Sequence, residues 1–271
     1  MNILVTGASS GLGLHTAQAL CEAGHTVIAG ARSFREESRE GGLIRLPLDV
    51  TDDASAERFV KRALELTDHV DALVQCAGIL VLGSCEETAL AEYRRVLETD
   101  FLGMVRMNRL LLPVFRKQGH GKIVMYSSIN GLLGIPYQSA YTAAKHAVEG
   151  YAECLQMEVR RFGIQVMLVE PGDHRSGSNA YRFHADGMDA SPYREDYEST
   201  VQVIHRDETT GSDPGRLGRI VARKLQRRHM PFRLRIASAD QHLAVVLHDA
   251  LLPGWSHGIL RNYYYGKKPR D

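Results

Sequence analysis

The first thirteen residues combine a short apolar run with a glycine-rich turn, and this combination strongly limits the possible folds. Residues 2–5, Asn-Ile-Leu-Val, predict a buried strand, and Thr6–Gly13 follows it with the spacing Gly-x3-Gly-x-Gly. A helical pattern begins at once and stops at Gly24. Glycines let the backbone approach a ligand closely, and the N–H groups and dipole of a helix N-terminus favour an anion. The segment therefore predicts a diphosphate-binding turn, with a plain tight turn as the alternative.

Short apolar runs alternate with helical patterns along most of the chain. Strands are predicted at Ile3–Val5, Val27–Ala29, Leu43–Leu46, Ala72–Val74, Ile123–Tyr126 and Val166–Val169. Long helical patterns occupy about Glu86–Gln118 and Ser139–Phe162, and Asp213-Pro214 is typical of the start of a helix, here running to about Arg228. This alternation predicts an α/β protein with a doubly wound parallel sheet of the Rossmann type, in one domain over residues 1–271, with helices on both faces.

Residues 173–213 interrupt this alternation, because they are polar, contain glycine and scattered aromatic residues, and include no convincing strand. In a doubly wound sheet this stretch follows the carboxyl end of a strand, where ligands bind. We therefore predict a substrate lid over residues 173–230, with an inert surface excursion as the alternative.

The composition excludes several classes of protein. A net charge of +1 and a charged fraction of 24% indicate neither a nucleic-acid partner nor a membrane surface. The four cysteines lack paired spacing and are interpreted as reduced thiols, and the twelve histidines lack metal-ligand spacing, so no metal site is predicted. No apolar run reaches about 18 residues, and a first strand at residue 2 leaves no room for a signal peptide. We therefore expect a cytoplasmic protein without a membrane span.

Tyr141 and Lys145 lie four residues apart in a predicted helix and therefore share one face. A free phenol titrates near 10, but a positive charge about 4 Å away is worth roughly 4 kcal/mol at an effective dielectric constant near 20. That is about three pKa units, enough to bring a phenol towards the range of an acid–base group at neutral pH. Ser128, at the end of an apolar run, supplies a hydroxyl that can hold a carbonyl or alcohol oxygen. For the Tyr–Lys pair alone, a solvated helix face is the alternative.

Four motifs in order, Thr6-Gly7-x3-Gly11-x-Gly13, Ser128, Tyr141-x3-Lys145 and Pro171-Gly172, resemble the classical short-chain dehydrogenase/reductase family from residue 2 to about 176. The tail Ala239–Tyr265, with Leu251-Leu252-Pro253, is similar to the 17β-hydroxysteroid-dehydrogenase-like branch. The resemblance implies that Tyr141 is the acid–base group, that Ser128 orients the substrate oxygen, and that Lys145 acts on the phenol and the nicotinamide ribose. Ser127 is the alternative to Ser128, which lies at the family separation of thirteen residues from Tyr141.

The expected cofactor contacts include the end of the second strand, where NAD-dependent members usually carry an acidic residue and this chain has Ala31 and Arg32. A carboxylate repels a 2′-phosphate, whereas a guanidinium binds it through charge-assisted hydrogen bonds. NADP(H) is therefore predicted, with Arg35 as a second candidate and a solvated loop cation as the other interpretation of Arg32. Asp49 follows the third predicted strand, and we expect it either to contact the adenine or to cap the helix that begins near Thr51. The residues predicted to bind the cofactor are, in full, Thr6, Gly7, Ser9, Ser10, Gly11, Leu12, Gly13, Ala31, Arg32, Asp49, Val50, Cys76, Ala77, Gly78, Tyr141, Lys145, Pro171, Gly172 and Ser176.

Three positions depart from the family pattern. Asp100 stands where the family has an asparagine of the catalytic set, and we expect its carboxylate to replace that asparagine in a water relay near Lys145. Cys76 lies in Gln-Cys-Ala-Gly, where Asn-Asn-Ala-Gly is common, and Ser176 stands where a threonine often meets the nicotinamide amide. The Ala77-Gly78 pair still permits close approach of a cofactor.

The sequence as a whole predicts an oxidoreductase that transfers a hydride between NADP(H) and a ketone or secondary alcohol, in a homodimer or homotetramer. The C-terminal extension favours a lipid-like or steroid-like substrate over a 3-oxoacyl thioester on a carrier protein. Arg216, Arg219, Arg223 and Arg227 form a basic stripe that could dock such a carrier, although a solvated helix face is the preferred interpretation. A cofactor-binding sensor without turnover is a further alternative, which Asp100 keeps open. Tyr263-Tyr264-Tyr265 is expected either to close a pocket or to lie at a subunit contact.

Overall fold

A computed structural model of the chain describes residues 1–177, 182–250 and 253–265. The strands are β1 (Asn2–Thr6), β2 (Thr26–Ala31), β3 (Ser38–Glu40), β4 (Leu43–Pro47), β5 (Ala72–Gln75), β6 (Val81–Leu82), β7 (Gly121–Tyr126), β8 (Ile164–Pro171), β9 (Phe183–His184) and β10 (Arg233–Ile236). The helices are α1 (Gly11–Glu22), α2 (Asp53–Leu66), α3 (Leu90–Leu97), α4 (Gly103–Gln118), α5 (Ser139–Val159), α6 (Arg194–Thr210), α7 (Pro214–Leu225), α8 (Ala239–Ala250) and α9 (Pro253–Tyr265).

Eight strands form the central sheet in the order β10-β8-β7-β5-β1-β2-β4-β3. All neighbours are parallel except β3, which runs antiparallel to β4. Strands β6 and β9 form a separate two-stranded parallel sheet. Each of the six predicted strands lies within an observed strand, and the predicted doubly wound fold is confirmed.

Apolar side chains cover both faces of the sheet. On one face, α1 packs against α7, and Leu20, Leu217 and Leu225 are buried between them and the strands. On the other face, α2, α4 and α5 supply a larger cluster that includes Phe59 and Phe115. Because the strands are buried on both sides, they read as continuous apolar runs, which is why they could be located from the sequence.

A third apolar cluster lies at the carboxyl edge of the sheet. It joins the segment after β7 to α6, α8 and α9 through buried side chains such as Ile135, Tyr137, Tyr197, Val245 and Tyr264. This cluster positions the C-terminal helices over the edge where ligands of doubly wound sheets bind.

Three predicted helices differ from the observed ones at their ends. The pattern over Ser139–Phe162 is α-helical only to Val159, and Arg160–Phe162 forms a 3₁₀ turn. The pattern over Glu86–Gln118 becomes helical only at Leu90, and a π-helical turn, Glu98–Leu102, separates α3 from α4. Helix α7 begins at Pro214 as predicted but ends at Leu225 instead of Arg228.

The segment predicted as a lid contains regular structure that the sequence did not reveal. It includes β9 and the 17-residue helix α6, which buries Tyr197, Thr200, Ile204 and Glu208. Helix α7, also within residues 173–230, packs against α1 as part of the body of the protein. Strands β3 and β10 were not predicted either, and Leu251-Leu252 of the tail motif lies outside the described residues.

Neither membrane spans nor metal clusters are found in the described ranges. No helix there is long and apolar enough to cross a bilayer. No group of three or more His, Cys, Asp or Glu side chains there is arranged to hold a metal ion.

The start of α7 gives a test of stability. Asp213 accepts hydrogen bonds from the N–H groups of Gly215 and Arg216, at 3.0 and 2.9 Å, and so caps the helix. Asp213→Ala should lower the free energy of unfolding by about 1 kcal/mol, the usual cost of losing such a cap. Urea unfolding measures the difference. Glu57→Ala, which removes an exposed carboxylate inside α2, is the control and should change the free energy by less than about 0.5 kcal/mol.

Candidate functional site

A cleft of about 500 Å³ opens at the carboxyl edge of the central sheet, where β1, β2, β4, β5, β7 and β8 all end. Most of the predicted cofactor-binding residues line it: Gly7, Ser9, Ser10, Gly11, Leu12, Gly13, Ala31, Arg32, Asp49, Val50, Cys76, Ala77, Gly78, Tyr141, Lys145, Pro171, Gly172 and Ser176. Ser128 and Asp100 line the same cleft. Thr6 does not, because its side chain is buried at the end of β1.

The glycine-rich turn brings the backbone close to one wall of this cleft. Gly7 has a φ of +68°, and a Cβ there would lie 2.6 Å from the backbone of Ala77. Ser10 is the N-cap of α1, but its side chain makes no capping hydrogen bond. The first N–H groups of α1 are therefore left without a side-chain cap, which is the arrangement that suits a bound phosphate.

The end of β2 carries a cation and no carboxylate. Arg32 is exposed and lines the cleft directly after Ala31, the last residue of the strand. Arg35, the second candidate, is exposed as well but is not among the residues that line the cleft.

Asp49 lies in a tight turn after β4. Its Oδ1 accepts hydrogen bonds from the N–H and the hydroxyl of Thr51, at 2.9 and 2.7 Å. The cap of α2 is instead Asp52, whose side chain accepts from the N–H of Ser55 at 2.6 Å. Of the two interpretations of Asp49, the helix cap is therefore wrong.

The two serines after β7 face different surroundings. Ser128 lines the cleft, and its Oγ accepts from the N–H of Asn130 at 3.2 Å and donates to Asn130 Oδ1 at 3.3 Å. Ser127 is 3% exposed, and its hydroxyl lies against Gly131 and the side chain of Glu149. Ser128 is thus held by Asn130 at the position where its hydroxyl can meet a ligand.

Lys145 is buried at the base of the cleft, one helical turn after Tyr141 in α5. Its Nζ donates to the backbone oxygen of Tyr126 at 3.1 Å and lies 5.2 Å from the centre of the Tyr141 ring. The same Nζ lies 3.2 Å from Asp100 Oδ2. Burial lowers the pKa of Lys145, but the charge of Asp100 and the neighbouring Tyr141 oppose burial, and the net direction is upward.

Asp100 sits in the π-helical turn between α3 and α4 and is fully buried. Its Oδ1 accepts from the N–H of Ile79 at 2.8 Å, while Oδ2 faces Lys145. Burial raises the pKa of Asp100, against the opposing effects of Lys145 and the Ile79 N–H. A Cβ at Gly78 would lie 2.8 Å from Asp100 Oδ2, so a glycine is needed there. The carboxylate therefore contacts Lys145 directly.

Other residues of the cleft were missed by sequence reasoning because no motif identifies them. Asn130 and Gln138, joined at 3.0 Å, line the cleft beside Ser128. Arg182 and Glu208 form an ion pair of 2.8 Å in the same cleft. Burial, followed by the charge of Asp207, raises the pKa of Asp173 to about 6. Tyr264 lines the cleft as well, so the central residue of the predicted tyrosine run reaches the pocket.

Known proteins with similar sequences and structures support this description. Residues 1–186 match the short chain dehydrogenase family. A 3-ketodihydrosphingosine reductase from Bacteroides thetaiotaomicron is 37% identical over 97% of both chains. A short-chain dehydrogenase structure from Streptomyces avermitilis has a TM-score of 0.79 and 32% identity, and covers 95% of this chain and 97% of that one. A 3-ketoacyl-ACP reductase structure from Sinorhizobium meliloti has a TM-score of 0.72 and 25% identity, and covers 90% of this chain and 100% of that one.

The contact between Asp100 and Lys145 predicts a change in pH dependence. The carboxylate favours the ammonium form, so Asp100→Asn should lower the pKa of Lys145 and move the alkaline limb of the pH–rate profile to lower pH. Asp100→Leu also leaves the Ile79 N–H and the ammonium without this partner, and should slow turnover about ten-fold or more, equivalent to about 1.4 kcal/mol.

Rates measured across the pH range check both variants. Asp68→Asn, which neutralises an exposed carboxylate, is the control and should leave the profile in place. If Asp100→Leu matched the parent in rate and in pH dependence, Asp100 would have no part in turnover.

Proposed function

The chain belongs to the short-chain dehydrogenase/reductase family, and on this basis we propose that it reduces a hydrophobic, lipid-like ketone with NADPH. One observation carries the proposal: Ser128, Tyr141 and Lys145 line a single cleft together with the glycine-rich turn and Arg32. A Cβ at Gly7 would meet the backbone of Ala77, and a Cβ at Gly78 would meet the carboxylate of Asp100, so both positions of this wall need glycine.

The positions of the side chains support the following proposed roles. A nicotinamide cofactor bound in the cleft would supply the hydride to the carbonyl carbon. The Ser128 hydroxyl, held by Asn130, orients the carbonyl oxygen, and the Tyr141 phenol donates the proton to it. Lys145 acts on the phenol through its charge and on the ribose through hydrogen bonds, while Asp100 and the Tyr126 oxygen hold the ammonium in place. Because Ser128, Tyr141 and Lys145 are all present, an active enzyme is favoured over a cofactor-binding sensor without turnover.

The choice of NADPH depends on charge at the end of β2. Arg32 lines the cleft, and it follows Ala31 where NAD-dependent enzymes of this type carry a carboxylate. A guanidinium suits a 2′-phosphate because it offers several donors in one plane.

The substrate half of the cleft supports a lipid-like ketone. Apolar side chains contribute to its lining, beside the Arg182–Glu208 ion pair: Leu80, Ile135, Phe183, Ile204 and Tyr264. The relative from Bacteroides thetaiotaomicron is a reductase of 3-ketodihydrosphingosine, a long-chain ketone, and it matches nearly the whole chain. A long-chain ketone of this kind is therefore the proposed substrate.

A 3-oxoacyl thioester on a carrier protein is the second candidate. The guanidinium groups at Arg216, Arg219, Arg223 and Arg227 lie on exposed residues of α7 and its end, where an acidic carrier could dock. Arg219, however, pairs with Asp213 at 3.2 Å, and α7 packs on α1. These contacts fit a solvated helix face, and the apolar side chains of the cleft favour the lipid-like ketone.

Turnover itself is tested with a panel of ketones and NADPH. We expect oxidation of NADPH with 3-ketodihydrosphingosine, and slower or no oxidation with steroid ketones or with a 3-oxoacyl carrier protein. Tyr141→Phe should reduce the rate by a factor of about 10² to 10⁴, since it removes only the proton donor, and should leave cofactor affinity nearly intact. Lys145→Ala should reduce both the rate and the affinity for the cofactor. A Tyr141→Phe variant that kept more than about a tenth of the rate would exclude this phenol as the acid.

Cofactor preference is tested by titrating NADPH and NADH separately and following fluorescence. NADPH should bind at least about ten-fold more tightly, which requires about 1.4 kcal/mol, within the range of one charge-assisted contact. Arg32→Ala should remove this preference. Arg35→Ala, a matched loss of charge at an exposed residue that does not line the cleft, should keep it. Equal affinities in the parent protein would contradict the proposal.

A further inference from the structure

Three carboxylates line the substrate half of the cleft. Asp207 and Glu208 lie on α6, three and four residues after Ile204, so these three side chains share one face of the helix, and all of them line the cleft. Asp173 follows Gly172 at the end of β8 and lines the same space. The charges of Asp207 and Glu208 both raise the pKa of Asp173, so the three carboxylates lie near one another.

Two of these carboxylates are paired with cations. Glu208 pairs with Arg182 at 2.8 Å, and Asp207 pairs with Arg206 at 2.8 Å. In the part of the chain that the structure describes, no cation lies within ion-pair distance of the Asp173 carboxylate. The charge of Arg182 acts on it from farther away and is opposed by Asp207 and Glu208. This end of the cleft therefore has one carboxylate more than it has paired cations.

The carboxylate of Asp173 is held in place by a neutral partner. Gln241 on α8 donates a hydrogen bond from Nε2 to Asp173 Oδ2, and its Oε1 accepts from the Asp173 N–H at 3.3 Å. An amide orients a carboxylate but does not neutralise its charge. Because the pKa of Asp173 is raised only to about 6, the group is mostly ionised at neutral pH. A ligand in the cleft therefore meets an oriented negative charge.

His174, the next residue, adds an acceptor at the same place. It lines the cleft and is 4% exposed. Its Nδ1 lies 2.9 Å from the backbone oxygen of Gly172, and since a carbonyl oxygen only accepts, Nδ1 carries the proton. Burial lowers the pKa of His174, so the ring is neutral at pH 7 and Nε2 is an acceptor. Nε2 has no hydrogen-bond partner within the described ranges. A buried acceptor without a donor is costly, so this atom needs a donor from a ligand.

Asp173 and Ser128 follow neighbouring strands of the sheet. Strands β7 and β8 are paired with Tyr126 beside Val169, and neighbouring strands lie about 4.8 Å apart. The pairing continues past the end of β7, because the Ser127 N–H donates to the oxygen of Val169 at 2.9 Å. Ser128 is the next residue, and Asp173 is four residues beyond Val169. The oriented carboxylate therefore lies on the loop beside the hydroxyl that would hold the carbonyl oxygen.

We propose that Asp173 and His174 bind the ammonium group of a substrate that carries an amine on the carbon next to its ketone. The inference rests on the proposed function, and 3-ketodihydrosphingosine has this structure. An ammonium group offers a positive charge and three N–H donors. The carboxylate of Asp173 supplies the opposite charge, and Nε2 of His174 accepts one of the N–H groups. A neutral ketone of the same length would leave Asp173 without a counterion.

Binding is measured by calorimetry on the full chain, with and without NADP⁺. The probes are dihydrosphingosine, the alcohol that reduction would give, and its N-acetyl derivative, which lacks the charge, both in short-chain, water-soluble forms. We expect the amine to bind at least about ten-fold more tightly than the amide, the size of one charge-assisted contact. The preference should decline as the pH falls through about 6, because protonation removes the charge of Asp173.

Variants separate the two groups from the rest of the cleft. Asp173→Asn keeps the shape of the side chain and an oxygen for Gln241, and should remove most of the preference for the amine. His174→Phe removes Nε2 and should weaken binding of the amine about three-fold or more relative to the amide. Asp186→Asn, which neutralises an exposed carboxylate between β9 and α6 that does not line the cleft, is the control and should keep the preference. Circular dichroism shows that each variant is folded.

Equal affinities of the parent for amine and amide would overturn the proposal, and so would a preference that survives Asp173→Asn or His174→Phe. If Asp173→Asn weakened only the binding of NADP⁺, the carboxylate would serve the cofactor instead. Turnover is measured separately with NADPH and a neutral long-chain ketone. Reduction of that ketone without any preference for the amine would leave the proposed function intact and remove this inference, whereas a preference for the amine without oxidation of NADPH would do the reverse.

Discussion

The buried ion pair between Asp100 and Lys145 is the contact on which the site depends. Neither charge is stable in the interior alone, and removing one partner of such a pair commonly costs about 3–5 kcal/mol. Three separate parts of the chain hold the pair: the N–H of Ile79 after β5, the oxygen of Tyr126 at the end of β7, and the π-helical turn before α4. The position of Lys145 next to Tyr141 therefore depends on both strand ends and on this turn.

The cleft shows how one edge of a parallel sheet gathers groups that are distant in sequence. The glycine-rich turn, Arg32, Ser128 and Lys145 follow different strands or lie on different helices, yet they line the same space. The sheet supplies this convergence because its strands are parallel and their carboxyl ends meet at one edge. The third apolar cluster then covers that edge with α6, α8 and α9.

The parts of the fold that could be predicted are those with local signals. The continuous apolar strands, the glycine-rich turn and the Asp213 cap each have a short-range physical cause in the sequence. Helix α6 was missed because polar residues dominate it and its buried Glu208 is matched by Arg182, 26 residues away. The charged strand β10 was missed for a similar reason, because Arg233 and Arg235 are neutralised by Glu170 in the neighbouring strand β8.

The pairing of β9 with β6 ties the segment before α6 to the loop that follows β5. Phe183 and Ala185 donate backbone hydrogen bonds to Leu80 and Leu82, at 3.1 and 2.7 Å. The same short loop contains Gly78 and Ile79, which lie against Asp100. The strand that pairs with the segment before α6 and the backbone that holds the buried carboxylate are therefore parts of one run of five residues, from Gly78 to Leu82. The wall of the cleft at Phe183 and the support of Asp100 thus share a single short stretch of backbone.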